Sequence, residues 1–141
     1  SDQRVAVFRE PFPILYVEDV ARSLDFYATQ LGFEPTFVWP AQGAPELVYL
    51  ELGASGIGIG SRGGAFPHGL TPGDSAHPTF ELCLYVDDID LAAERLRAAG
   101  VLELVPPRDM PWGERLAYFA DPDGYPLHIT MRWSHHKPWS T

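Results

Sequence analysis

The sequence predicts an α+β protein in which two tandem β-α-β-β-β modules form a curved sheet around a cleft. Three observations carry this. Residues 16–20, Tyr-Val-Glu-Asp-Val, return at 85–89 as Tyr-Val-Asp-Asp-Ile, an offset of 69 in a chain of 141 residues. Each copy follows a short β-type run and precedes apolar residues at helical spacing. Between the copies, residues 61–78 are dense in Gly, Pro and Ser, as a linker loop would be. The implied division is 1–60 for the first module, 61–78 for the linker, 79–131 for the second module and 132–141 for a tail without a clear period.

Residues 12–17 and 80–86 read as the opening strand of each module. In the helices that follow, Val20, Leu24, Tyr27 and Leu31 recur every three or four residues, as do Ile89, Ala93, Leu96 and Ala99. Asp19 and Asp88 stand where an N-cap belongs, because a short carboxylate accepts from the unpaired N–H groups of the first turn. Gly32 and Gly100 stand at the C-caps. Three strands then complete each module, at 36–39, 47–52 and 57–60 and at 101–105, 116–120 and 127–131. Asp121-Pro122-Asp123-Gly124 reads as a tight turn between the last two strands.

Composition excludes several classes of function. Hydrophobic residues make up 45% and charged residues 21%, which is ordinary globular usage. No run approaches the ~18–20 apolar residues of a membrane span, and Ser1-Asp2-Gln3-Arg4 opens no signal peptide. The net charge of −9 would repel nucleic acid. Cys83, the single cysteine, rules out an internal disulfide and multi-cysteine zinc sites. A reduced, cytoplasmic protein is the expectation. No Gly-rich phosphate loop, Ser-His-Asp pattern or HExxH motif occurs.

A helix covers one face of each sheet and leaves the other bare. Strand alternation decides which residues occupy the bare face. Leu82, Leu84 and Val86 form an apolar stripe toward the helix, so Glu81, Cys83 and Tyr85 face the cleft. The offset places Phe12, Ile14 and Tyr16 there in the first module. In the last strand, Pro126, His128 and Thr130 face the cleft, and the offset maps His128 onto Ile59, give or take one residue. Glu81 and His128 are then expected to pair on the cleft floor.

Ile14-Leu15-Tyr16-Val17-Glu18-Asp19-Val20, the following Phe26-Tyr27 and Leu31-Gly32-Phe33, and Asp121-Pro122-Asp123-Gly124 with the strand after it resemble the vicinal oxygen chelate superfamily. That superfamily comprises glyoxalase I, extradiol dioxygenases and bleomycin-resistance proteins. The resemblance spans about residues 10–131. It implies four metal-ligand positions on the cleft face: Phe12, the 57–60 strand, Glu81 and His128. The first two offer no ligand side chain, so no metal cofactor is expected and Glu81 and His128 are the weak candidates that remain. Pro111-Trp112-Gly113-Glu114-Arg115, the Asp-Pro-Asp-Gly turn and the histidine after it look like the drug-binding branch. That branch implies a metal-free homodimer, with Trp112 and Phe37 lining its drug groove.

The expected ligand-binding residues are therefore Trp112, Phe37, Trp39, Tyr49, Phe66 and Tyr118, with Phe12, Glu81 and His128 beside them. Flat rings stack on a planar ligand for about 0.5–1.5 kcal/mol each beyond burial. Burial of about 300 Å² of apolar ligand surface would contribute roughly 7 kcal/mol, against association costs of about 4 kcal/mol or more. The expected function is non-catalytic sequestration of a bulky, partly aromatic natural product such as an antibiotic, with no catalytic residue, no cofactor, and neither nucleic acid nor membrane as partner. The alternatives are a metal-dependent lyase, isomerase or dioxygenase of the same superfamily, or a metal-free enzyme acting on a natural product.

Overall fold

The structure is a computed structural model and describes residues 10, 12–64, 81–111 and 113–131. Its elements run β1 (Ile14–Val17), α1 (Val20–Thr29), β2 (Glu34–Trp39), β3 (Leu47–Leu52), β4 (Ser55–Ser61), β5 (Leu82–Val86), α2 (Ile89–Ala98), β6 (Glu103–Asp109), β7 (Arg115–Ala120) and β8 (Pro126–Met131). This is β-α-β-β-β twice. The strands form two four-stranded sheets, ordered β1-β4-β3-β2 and β5-β8-β7-β6. In each, the opening strand pairs in parallel with the closing strand and the remaining pairs are antiparallel. None of the described helices is long and apolar enough to cross a membrane.

Both helices start at the expected caps. The Asp19 carboxylate accepts from the Arg22 N–H at 3.0 Å, and that of Asp88 from the Leu91 N–H at 3.1 Å. The observed C-caps are Gln30 and Ala99, and the expected glycines lie just beyond them with φ near +80°. That left-handed backbone favours glycine.

The edge strands depart most from expectation. β2 begins at Glu34 rather than at 36, and β6 runs from Glu103 to Asp109 through Pro106-Pro107 rather than over 101–105. Proline lacks an N–H donor, but an edge strand pairs on one side only and tolerates the loss. The register of both edge pairs slips locally.

The helix-facing residues of both modules form one continuous core, with Leu15, Val17 and Ile59 in the same cluster as Phe119, Leu127 and Ile129. The Asp121–Tyr125 turn fastens the modules together. Asp121 Oδ2 accepts from the Tyr27 hydroxyl at 2.8 Å, and Oδ1 from the N–H groups of Asp123 and Tyr125. Asp123 Oδ2 accepts from the Ser23 hydroxyl at 3.1 Å, and Oδ1 from the Glu18 N–H and Arg22 Nη2. All four carboxylate oxygens are thus engaged, as burial at 4% and 7% exposure requires. Burial pushes the Asp121 carboxyl above its ordinary value. Burial, with the neighbouring Asp121 carboxylate, pushes the Tyr27 phenol far up.

Candidate functional site

Register defines the bare faces. In the first module Ile14, Gly58, Tyr49 and Phe37 lie side by side across β1, β4, β3 and β2. The row of the second module is Cys83, His128, Tyr118 and Val105 across β5, β8, β7 and β6. His128 therefore corresponds to Gly58. Ile59, onto which the bare offset maps it, is fully buried in the core beneath α1. The closing strands are offset by one residue more than the opening strands, and one residue is the difference between the two faces of a sheet.

The first face is aromatic and smooth. The Phe12 and Tyr49 rings meet edge to face, with centroids 4.7 Å apart. Phe12, Phe37 and Trp39 are 48%, 50% and 53% exposed. Gly56 and Gly58 let the neighbouring side chains lie flat on the sheet. A Cβ at Gly56 would collide with the Tyr49 hydroxyl, and one at Gly58 would come within 2.9 Å of Ile14 Cγ1.

The second face carries a polar network. His128 Nδ1 lies 3.1 Å from Glu81 Oε1, and Nε2 lies 2.9 Å from Glu114 Oε2. The Tyr118 hydroxyl donates to Glu81 Oε1 at 3.3 Å, and its ring stacks on His128 with centroids 4.8 Å apart. Burial, with Glu81 close by, pushes the Tyr118 phenol up to about 12. An imidazole can bond both carboxyl groups either as imidazolium, with both nitrogens donating, or as a neutral ring that donates from one nitrogen and accepts from a protonated carboxyl at the other. Glu114 was not singled out in the sequence, although alternation backward from Tyr118 through Leu116 reaches it. Cys83 pairs with His128 in register. Burial, then Glu114 and Glu81, push its thiol up, which disfavours a nucleophilic thiolate.

The expected site residues therefore fall into two groups. Phe12 touches Tyr49 in the first module, with Phe37 in register beside Tyr49 and Trp39 further along β2. Glu81, Tyr118 and His128 form the second group. A groove of ≈ 850 Å³ lies between the β3–β4 hairpin and β5, with Tyr49 and Gly56 on one wall and Cys83 and Tyr85 on the other. Of the expected residues that are described, only Tyr49 lines it. Trp112 and Phe66 lie outside the described residues.

A family model for the glyoxalase/bleomycin resistance protein/dioxygenase superfamily matches residues 5–129. The chain belongs to this superfamily. Its fold recurs in the crystal structure of a superfamily member from Sphaerobacter thermophilus, at 28% identity over 90% of this chain and 100% of that one, with a TM-score of 0.72. It recurs in TioX from Micromonospora, at 24% identity over 86% and 98%, TM-score 0.74. A Nocardioides superfamily protein matches at 23% identity over 99% and 93%, TM-score 0.70. A search of curated protein sequences returns no significant match.

Dioxygenases and glyoxalases of this superfamily suggest a metal centre, and the donor set here does not fit one. Phe12 and Gly58 stand where Glu81 and His128 stand in the other module, so neither of these two positions supplies a ligand. Both ring nitrogens of His128 are taken by carboxylates on opposite edges of the ring. Zinc and iron sites need about three protein ligands converging on one point. Among the described residues no such group of His, Cys, Asp and Glu occurs.

Proposed function

We propose that this member of the superfamily sequesters a bulky, partly aromatic natural product, such as an antibiotic, and releases it unchanged. The observation that carries the reading is the paired substitution across the modules. Phe12 and Gly58 replace potential ligands, while His128 is closed off between Glu81 and Glu114. What remains is a surface for binding: exposed rings on one face, and on the other a polar anchor for a ligand hydroxyl or amine. Stacking on two or three rings adds about 1–4 kcal/mol to apolar burial, which separates weak from useful affinity.

Each bare face leaves large apolar side chains uncovered, Phe37, Trp39 and Tyr85 among them. Exposed patches of this kind mark binding or assembly surfaces. We infer a homodimer in which the face of one copy completes the groove of the other, in a reducing cytoplasm where Cys83 stays a thiol. Trp112 and Phe66 complete the proposed ligand wall on sequence grounds.

The test is to titrate aromatic antibiotics against the protein, following tryptophan fluorescence, and to recover each compound for mass analysis. Saturable binding with unaltered recovery is expected, and Tyr49→Ala should weaken it about tenfold. A chemically changed product formed over repeated turnovers would overturn sequestration. Equilibrium sedimentation should give twice the chain mass.

A further inference from the structure

A second cavity lies in the seam between the modules; it shares Leu52, Leu84 and Tyr85 with the groove but is lined by neither the Phe12–Tyr49 pair nor the histidine network. The C-terminal end of α1 meets α2 there, against the core-facing sides of β5 and β8. The cavity holds ≈ 340 Å³. Leu31, Leu84, Leu96 and Ile129 give it apolar walls, Thr29, Gln30, Tyr85 and Arg95 are its polar side chains, and none of its described lining residues is an acid. In a chain with 19 acidic residues against 10 Lys and Arg, that absence is informative.

Arg95 is chemically unspent. Arg22, Arg62, Arg97 and Arg115 each pair with a carboxylate. Among the described residues Arg95 makes no ion pair and no side-chain hydrogen bond. Its neighbours at helical spacing are Leu91, Ala92, Ala98 and Ala99, so its own helix offers no acid to hold it. A guanidinium presents a planar fork that matches a carboxylate with two parallel N–H···O bonds.

We propose that this seam binds a small amphiphilic monocarboxylate, with the carboxylate on Arg95 and the apolar tail against Leu31, Leu84, Leu96 and Ile129. The volume sits at the small end of ligand pockets, which favours a short aliphatic or single-ring acid over a drug-sized molecule. A cation would be repelled by Arg95. A phosphate dianion would ask for more positive charge than one arginine supplies.

The experiment titrates octanoate, octanol and octylamine into uniformly ¹⁵N-labelled protein and follows backbone amide shifts. Octanoate should saturate, shift the amides of Gly32, Leu84, Ala92 and Leu96, and bind about tenfold tighter than octanol or octylamine. Arg95→Gln, an exposed helical change, should weaken octanoate about tenfold and leave octanol unchanged. Ala92→Phe, which fills the cavity, should abolish both. The proposal is overturned by equal octanoate affinity in Arg95→Gln, by shifts confined to β3 and β7 on the bare faces, or by the absence of saturation. Since Tyr49 does not line this cavity, Tyr49→Ala should leave octanoate binding intact, so this result and the antibiotic titration stand or fall separately.

Discussion

The first and second modules share a skeleton strand for strand and differ on both sides of it. On the bare side, Phe12, Gly58 and Tyr49 answer Glu81, His128 and Tyr118. The tyrosine is common to both, but its partner decides its chemistry. Tyr49 packs on a phenylalanine and over glycine, whereas Tyr118 stacks on a histidine and bonds a carboxylate. On the core side, the helices differ as well. α1 buries Ser23 and Tyr27, where α2 carries Ala92 and Leu96 at the equivalent positions. Those two polar groups exist to meet Asp121 and Asp123, and the corresponding turn of the first module, Gly53-Ala54, has no carboxylate to return. The lock between the modules therefore runs one way. A duplicated fold can thus divide its labour, with one copy shaped for contact and the other holding the polar network and the fastening.

The comparison breaks most readily at the lock. Asp121→Ala leaves the buried Tyr27 hydroxyl and two backbone N–H groups without acceptors, and each such group costs about 1–3 kcal/mol. A loss of about 3 kcal/mol or more is expected in urea unfolding. Stability within about 0.5 kcal/mol of the parent would show that the turn does not fasten the modules.

A smaller effect sharpens the contrast between the bare faces. Gly58→His gives the first module the side chain of the second, but its Cβ meets Ile14. Overpacking of this kind costs about 1–3 kcal/mol. Cys83 occupies the place of Ile14 in the second module, so Ile14→Cys should recover much of that cost. A double-mutant cycle reads the coupling, and strictly additive effects would mean that the two sites do not touch as described.

The smallest effect is seen in alkali. The Tyr27 and Tyr118 phenols are both raised above their ordinary value of 10.0, mainly by burial. A raised phenol favours folding while the unfolded chain keeps its proton. That contribution is complete below about pH 10 and is lost as pH rises through the folded value. Alkaline absorbance titration should find the Tyr118 phenol ionising near 12, and Glu81→Gln should bring it down by removing the nearby charge. Stability above pH 10 should fall less steeply in Tyr27→Phe. An unmoved Tyr118 midpoint in Glu81→Gln would mean that burial alone sets it.

The modules, the helix caps and the faces of the strands were legible in the chain itself. Each rests on a local rule: the repeat at 16–20 and 85–89, the aspartates before the helices, the alternation that sends Leu82 inward and Glu81 outward. Local rules also brought Glu81 and His128 to one face. They could not place β4 against β1 to a single residue, because register depends on which backbone groups pair across strands, and so Ile59 stood in for Gly58. They ended that strand at residue 105, short of Pro106-Pro107, and a strand's tolerance of proline depends on whether it lies at an edge. Asp121 and Asp123 announced a turn, but their partners on α1 lie about a hundred residues away. Only the folded chain brings those donors within reach, and only the folded chain sets Glu114 on the far edge of the His128 ring.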